Sequence, residues 1–216
     1  MNEIANLCER VGANIENVRN GMSLDPRIGP HFIYPGVGYG GSCFPKDVRA
    51  LNKLGDVNNF ETKIMQAVND VNVKQRQRLV ERAVEMFGED LSGKRFAVWG
   101  LSFKPRTDDV REAPSLDSIP ALVERGATIV AHDPIAIENA QKEVPTSDSV
   151  QYVADAYSAL EGADALFIFT EWSEYRSPDF DRIKSTLNSA VVFDGRNLYR
   201  PEKMESFGFK YISIGR

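Results

Sequence analysis

The second half of the chain alternates short apolar runs with stretches of helical periodicity, and this alternation limits the possible folds more than any other feature. The predicted strands cover residues 95–99, 128–131, 150–153, 165–169, 191–193 and, more weakly, 211–214. The predicted helices between them cover residues 115–124, 135–142, 157–160 and 180–187. Apolar strands separated by helices are typical of a parallel sheet covered on both faces. The pattern therefore predicts a doubly wound, Rossmann-like α/β domain over residues 91–216.

The first ninety residues have a different texture and predict a separate helical domain. Apolar residues recur at helical spacing from Ile4 to Ile15, again at 48–54, and along one long predicted helix at 61–87. Between them, ten of the 28 residues from 21 to 48 are Gly or Pro. No helix or central strand tolerates that density, so the sequence predicts an ordered, functional loop.

Composition excludes several classes of protein. The net charge of −5 gives no overall positive field for nucleic acid or an anionic membrane. No apolar run approaches the roughly 20 residues that a membrane-spanning helix needs. The two cysteines, Cys8 and Cys43, are far apart and no secretory signal precedes them, so we expect reduced thiols and a cytoplasmic location.

The loop contains Gly36, Gly38 and Gly41 in a literal Gly-x-Gly-x-x-Gly arrangement. That motif binds dinucleotides when it joins a strand to a helix, whereas this one follows Tyr34 and Pro35 between helices. We therefore reject a dinucleotide site here. We expect instead that the glycines bring the backbone close to a ligand and leave N–H groups free to face it.

Cys43 closes this glycine run, with Lys46 and Asp47 three and four residues further on. A nearby ammonium favours the reactive thiolate, and a neighbouring carboxylate can position water that resolves a covalent intermediate. From residue types alone, a small buried hydrophobic cysteine is an equal alternative. For Cys8, which lies in an apolar helical stripe, that alternative is preferred and we predict a core residue.

Four motifs resemble the UDP-glucose/GDP-mannose dehydrogenase family. They occur in the family's order and spacing and span nearly the whole chain. The segments are 25–29 with 32–36, the Gly-Gly-Ser-Cys-Phe-Pro-Lys-Asp stretch at 40–47, the stretch from Gly100 to Ser115, and Thr170-Glu-Trp with Asp194-Gly-Arg.

The resemblance implies oxidation of the C6 hydroxyl of a nucleotide sugar to a carboxylate by two hydride transfers to NAD. Cys43 would capture the intermediate aldehyde as a thiohemiacetal, and the second transfer would give a thioester that water hydrolyses. Asp47 matches the carboxylate that handles this water. Lys46 and Arg111 match residues that contact the nicotinamide cofactor.

The same resemblance implies a set of substrate contacts. Arg27 matches a residue that reaches the neighbouring subunit's site, which implies a homodimer built on the helical domain of residues 1–90. The residues that match contacts to the nucleotide sugar are Phe32, Ile33, Tyr34, Pro35, Gly36, Gly40, Phe103, Lys104 and Arg196. Fixed cations suit a diphosphate, and an aromatic face suits a base.

Plainer interpretations stand beside some of these roles. Judged alone, Lys104 and Arg111 are typical solvated charges, and Phe103 fits a core position. Asp133 follows the second predicted strand, where a dinucleotide-binding acid would stand, but the turn after the first strand has one glycine. We therefore predict that Asp133 is a turn residue. His31 and His132 lack ligand partners at useful spacing, so we predict no metal.

The chain also departs from the family's pattern. The family's NAD-binding domain and the catalytic Lys and Asn of its long central helix have no counterpart in these residues. We therefore expect no dehydrogenase activity from this polypeptide alone, and at best weak binding of UDP.

Three alternatives stay open at this point. GDP-mannose could replace UDP-glucose as the substrate, although Phe44-Pro45 and the stretch 103–105 favour UDP-glucose. The chain could be a non-catalytic nucleotide-binding or dimerisation module. It could also be a thiol acyl-enzyme of the aldehyde dehydrogenase kind, but that class needs a longer chain with its α/β pattern around the cysteine.

Overall fold

The computed structural model describes residues 1–216, and its centre is a six-stranded, all-parallel sheet. The strands are β1 (Arg95–Trp99), β2 (Thr128–His132), β3 (Val150–Tyr152), β4 (Ala165–Ile168), β5 (Val191–Asp194) and β6 (Lys210–Ser213). They lie in the order β3-β2-β1-β4-β5-β6, and every neighbouring pair is parallel. This confirms the predicted doubly wound α/β fold. The strand order reverses between β1 and β4, which creates a crevice at the carboxyl edge of the sheet.

Both faces of the sheet are covered, and the strands divide their side chains between two buried clusters. Phe96 and Val98 of β1 belong to one cluster, while Ala97 and Trp99 belong to the other. This alternation follows from the period of two in a strand. The four inner strands are nevertheless buried along almost their whole length, because neither of their faces meets solvent, whereas the edge strands β3 and β6 carry the exposed Gln151 and Lys210.

Nine α-helices accompany the sheet. They are α1 (Asn2–Val11), α2 (Ile15–Ser23), α3 (Phe44–Val57), α4 (Lys63–Arg76), α5 (Arg78–Phe87), α6 (Pro114–Val123), α7 (Ile137–Glu143), α8 (Phe180–Thr186) and α9 (Pro201–Ser206). One face of the sheet is covered by residues from α5, α6 and α7. The other is covered by α8, α9 and a 3-10 turn at Ser158–Leu160.

The prediction of a single long helix at 61–87 is wrong, because the structure has two helices that separate at Gln77. At this point the amide of Gln77 bonds to the carbonyl of Lys74, three residues back rather than four. The side chain of Ser118 on α6 donates to the carbonyl of Arg76, at 3.3 Å. A tertiary hydrogen bond thus occupies a carbonyl at the break, and no sequence pattern within 61–87 signals it.

Two other boundaries differ from the prediction. The ordered loop covers 24–43 rather than 21–48, because α2 extends to Ser23 and α3 begins at Phe44. Pro45 does not disturb α3, since it lies in the first turn, where a helix amide has no partner to lose. The short helix α9 was not predicted. Cys8 is buried in the core, as predicted.

The division into residues 1–90 and 91–216 stays a prediction. One buried cluster contains Ala5, Cys8 and Ile15 from the first helices together with residues of the sheet.

No helix has the length and apolar character that crossing a membrane requires. No group of three or more His, Cys, Asp or Glu side chains is arranged to hold a metal ion.

Phe167, at the centre of the sheet, provides a test of this core. Its ring is buried, stacks on Phe193 at 4.5 Å between centroids and meets the edge of Phe96 at 5.1 Å. We expect Phe167→Ala to lower the free energy of unfolding by about 3–5 kcal/mol, measured by urea denaturation. The exposed Phe60 is the matched control, and Phe60→Ala should change it by about 0.5 kcal/mol or less. Equal effects would contradict this packing.

Candidate functional site

A cleft of about 750 Å³ lies where the loop before α3 meets the carboxyl edge of the sheet. Phe103 and Lys104 follow β1, Glu171 follows β4 and Arg196 follows β5, and all four line this cleft. Ligands of doubly wound sheets bind at this edge, where the strand order reverses. The opposite wall comes from α4 and from the loop, so the cleft is shared by the helical segment and the sheet.

The loop backbone at 36–41 is held by hydrogen bonds from both sides. Toward the sheet, the amide of Val37 donates to Gly195 at 3.0 Å, and the amide of Gly41 donates to Arg111 at 2.8 Å. Toward the helices, the amides of Gly36 and Tyr39 donate to Asn2 and Asn72, both at 2.9 Å. The expectation that this loop leaves its N–H groups free is therefore wrong for four positions. Only the amides of Gly38 and Gly40 have no protein acceptor.

Two buried amide side chains of α4 complete this support. Asn72 donates to the carbonyl of Tyr39 at 3.0 Å as well as accepting from its amide. Gln75 donates to the carbonyl of Gly36 at 2.7 Å. Since an unpaired buried polar group is costly, these bonds fix the loop in one position relative to α4.

Arg196 joins the loop to two strand ends. Its guanidinium donates to the carbonyls of Phe169 at 2.7 Å, Gly38 at 3.3 Å and Phe103 at 3.4 Å. Glu171 lies 3.4 Å from its Nε. Burial lowers the pKa of Arg196, and the negative charge of Glu171 opposes this effect. An arginine nevertheless keeps its charge at neutral pH. Arg196 is thus both part of the cleft wall and a structural link.

Cys43 is exposed at the N-terminus of α3, beside Phe44, which lines the cleft. A helix N-terminus carries partial positive charge that stabilises a nearby anion. The pKa of Arg111 is raised mainly by Asp109, and the charge of Cys43 adds to this effect, so the two side chains are near enough to interact. Burial in the core, the alternative for Cys43, does not apply.

The charged residues around Cys43 form exposed ion pairs. Lys46 Nζ lies 3.4 Å from Asp47 Oδ1, and Arg111 Nη2 lies 2.7 Å from Asp109 Oδ2. Arg111 and Lys46 both face solvent, and neither lines the cleft.

Glu112 links the two halves of the site. Its carboxylate accepts from Arg49 of α3 at 2.7 Å and from Arg76 of α4 at 2.6 Å. These two arginines hold the pKa of the Glu112 carboxyl below its usual range. Arg76 also pairs with Asp117 of α6 at 2.5 Å. One carboxylate therefore connects α3 and α4 to the segment that follows β1.

The sheet does not itself offer a dinucleotide site. Asp133, at the end of β2, is buried and accepts from the amides of Leu101 and Ser102 at 2.7 and 3.1 Å. It also accepts from Trp172 Nε1 at 3.0 Å and from the amides of residues 135 and 136. A ribose-binding acid needs free oxygens, whereas this carboxylate serves its own turn. Asp133 is thus a turn residue, as predicted.

The structure brings most of the expected substrate-binding residues together. Eight of the ten line the cleft, namely Phe32, Ile33, Tyr34, Gly36, Gly40, Phe103, Lys104 and Arg196. Pro35 lines an adjoining cleft of about 720 Å³, which shares Tyr34, Glu171 and Arg196 with the first. Arg27 lies in neither cleft, and its exposed guanidinium pairs with Asp25. Cys43, Lys46, Asp47 and Arg111 line neither cleft, and the roles of all these residues stay predictions.

Sequence reasoning missed the polar side chains that hold the site. Asn72, Gln75 and Arg76 are buried at helical spacing, but in sequence they look like the solvated face of α4. Glu112 lies within a recognised motif, yet nothing in its neighbours indicates two arginine partners that are 36 and 63 residues away. Only a contact map could have revealed these pairs.

Fold and site together define a doubly wound α/β protein of the nucleotide-binding kind, with an exposed thiol beside its cleft. Residues 97–201 match the model described as UDP-glucose/GDP-mannose dehydrogenase family, UDP binding domain. Residues 1–74 match the same family's central domain. The chain therefore belongs to the UDP-glucose/GDP-mannose dehydrogenase family.

Named relatives agree with this assignment. The chain is 46% identical to the UDP-glucose 6-dehydrogenase of Pseudomonas aeruginosa and 43% identical to that of Rhizobium meliloti, in each case over its whole length. A solved UDP-glucose dehydrogenase from Pyrobaculum islandicum is similar over 99% of the chain, with a TM-score of 0.85 and 36% identity. The chain covers 48%, 49% and 46% of these proteins, so it spans about half of their length.

Gly40 tests the contact between the loop and the sheet. A Cβ atom at this position would lie 2.1 Å from the carbonyl oxygen of Glu112, so the backbone must shift. We expect Gly40→Ala to lower the free energy of unfolding by about 1–3 kcal/mol, measured by urea denaturation. Gly21, inside α2 with open space around it, is the control, and Gly21→Ala should stabilise slightly, by about 0.5–1 kcal/mol. A neutral Gly40→Ala would contradict the contact.

Proposed function

We propose that this chain is the substrate-binding and thiol-bearing half of an NAD-dependent UDP-glucose 6-dehydrogenase, which oxidises UDP-glucose to UDP-glucuronate. The observation that carries the proposal is an exposed Cys43 at a helix N-terminus, adjoining a cleft lined by the loop, Phe103, Lys104 and Arg196. The relatives at 43–46% identity that are named UDP-glucose 6-dehydrogenase support UDP-glucose over GDP-mannose.

In this proposal the cleft binds the nucleotide and the diphosphate. Lys104 supplies an unpaired cation for the diphosphate, and its Nζ lies 5.2 Å from the Phe103 ring. The ring of Phe103 offers an apolar face to the base. The free amides of Gly38 and Gly40 are donors for phosphate or sugar oxygens. These contacts would direct the sixth carbon of the sugar toward Cys43.

Each of the two oxidations would require its own NAD+, held outside this chain, to take up the hydride lost from C6. The first oxidation converts the C6 hydroxyl to an aldehyde and releases a proton. The Cys43 thiolate then adds to the aldehyde carbon, and the resulting oxyanion takes up a proton to give a thiohemiacetal. Loss of the C6 hydrogen as hydride and of the hydroxyl proton leaves a thioester. Water, oriented by Asp47, adds to this thioester and releases the carboxylate and the free thiol.

The residues that would meet the cofactor are Lys46 and Arg111. Both are exposed cations, which suits contact with a negatively charged cofactor held elsewhere. The sheet of this chain is not suited to bind NAD, because the Asp133 carboxylate is already occupied by hydrogen bonds within its own turn and the turn after β1 has a single glycine. We therefore propose that the 216 residues alone do not carry out hydride transfer.

We further propose a homodimer through the helical segment. Large apolar side chains are exposed along α1, α3 and α4, including Leu7, Val11, Leu54 and Ile64. Exposed apolar surface of this extent is typical of an interface. Arg27 is also exposed, which suits a residue that reaches a partner's site.

The presence of two unpaired cysteines supports a cytoplasmic location.

A chimera tests the catalytic role of Cys43. The first half of the Pseudomonas aeruginosa relative, joined to this chain, should produce two NADH and one UDP-glucuronate for each UDP-glucose. We expect Cys43→Ser to reduce formation of the acid by a factor of about 100 or more, because the covalent intermediate is lost. NADH is followed by absorbance and the acid by chromatography.

The controls are chosen to separate catalysis from folding. Cys8→Ala alters the other thiol, which is buried in the core and away from the cleft, and should leave formation of the acid intact. This chain alone, with NAD+ and UDP-glucose, should produce no NADH. Acid formation at the normal rate by Cys43→Ser would remove Cys43 from the reaction, and NADH from the chain alone would refute the division of labour.

A further inference from the structure

Glu112 contacts the segment that carries Cys43 on both sides of the thiol. Before Cys43, Gly40 packs so tightly on the Glu112 carbonyl that an added Cβ would lie 2.1 Å from its oxygen. After Cys43, Arg49 of α3 donates to the Glu112 carboxylate at 2.7 Å. The backbone and the side chain of Glu112 therefore restrain the segment that carries Cys43, the backbone before the thiol and the side chain after it.

The backbone of Glu112 is itself held in an unusual conformation. Its φ is +54°, in the left-handed region that side chains other than glycine rarely adopt. The carbonyl of the preceding residue, Arg111, accepts from the amide of Gly41 at 2.8 Å. Such a conformation persists only where surrounding contacts enforce it, and it often marks a functional position. Here it turns both the backbone and the carboxylate toward the thiol segment.

The carboxylate of Glu112 is anchored at its other oxygen by Arg76. This arginine is almost fully buried on α4, donates to Glu112 at 2.6 Å and also pairs with Asp117. Arg49, in contrast, is half exposed and has Glu112 as its carboxylate partner. The buried end of the network is therefore at α4 and α6, and its exposed end is at α3, the helix that follows the thiol.

We propose that Glu112 is a positioning residue that holds Cys43 against Arg111 and the N-terminus of α3. The inference rests on the proposed function, in which Cys43 is the nucleophile. Glu112 does not touch the reacting atoms and acts through Arg49 and Gly40. Loss of its carboxylate removes the link between α3 and α4 and lets the start of α3, with the sulfur, shift away from Arg111.

The sign of the effect separates positioning from simple electrostatics. Removal of the Glu112 carboxylate leaves Arg49 and Arg76 with less neutralisation, and added positive charge near a thiol speeds its reaction. Unfolding would also speed it, since both cysteines would be exposed. Displacement of the thiol away from a neighbouring cation slows it, so a slower reaction identifies positioning.

The test is alkylation of Cys43 by iodoacetamide in this chain, followed by peptide mass spectrometry at about pH 7.5. We expect Glu112→Ala to lower the rate about five-fold relative to the unmodified chain. Asp117→Ala is the matched control, because it also removes a carboxylate from Arg76 but has no contact with α3 or the loop. It should leave the rate unchanged within about two-fold.

A second pair of variants keeps the test valid if Glu112→Ala does not fold. Arg49→Met removes the contact from the α3 side, at an exposed position, and should slow alkylation by a similar factor. Lys53→Met removes a cation one turn further along α3 without touching Glu112, and should not. Equal or faster alkylation in a folded Glu112→Ala protein, or equal slowing by the control of either pair, would overturn the inference. Acid formation at the normal rate by the Cys43→Ser chimera would instead overturn the proposed function, whatever the alkylation rates.

Discussion

Arg196 donates to carbonyl oxygens from three separate segments, and the geometry of the site depends on these hydrogen bonds. They join the end of β4, the turn after β1 and the glycine loop around one partly buried guanidinium. A planar group with donors in fixed directions suits this task, since it sets angles as well as distances. Without it, the loop would be held by Asn2 of α1, by α4 and by two backbone bonds to the sheet.

The glycines of the loop are explained by the same geometry. Gly36 packs on the backbone of Gly195 and Gly40 packs on that of Glu112, at distances that leave no room for a side chain. Gly38 and Gly41 have φ values of +91° and +84°, which a residue with a Cβ rarely adopts. The glycine run thus serves close approach between two parts of the protein, as well as any approach to a ligand. The loop amides that take no part in these contacts stay free to bind a ligand.

Sequence patterns predicted the sheet well because each strand is set by local chemistry. Apolar runs such as that at β4 leave little choice of conformation once both faces must be covered. The break at Gln77 and the short helix α9 were not predictable in this way, since the first depends on Ser118, more than forty residues distant. The site divides similarly. Motifs located Cys43, Phe103 and Arg196, but not the supporting side chains Asn72, Gln75 and Glu112.

The central claim is that the loop and the carboxyl edge of the sheet form one binding surface for a UDP-sugar. Titration of the isotope-labelled chain with UDP, followed by amide chemical shifts, tests it directly and tolerates weak affinity. The account predicts that shifts at Gly38, Gly40, Phe103 and Lys104 move together along one saturation curve. Shifts confined to the loop or to the sheet alone, or centred on the other edge of the sheet, would contradict it.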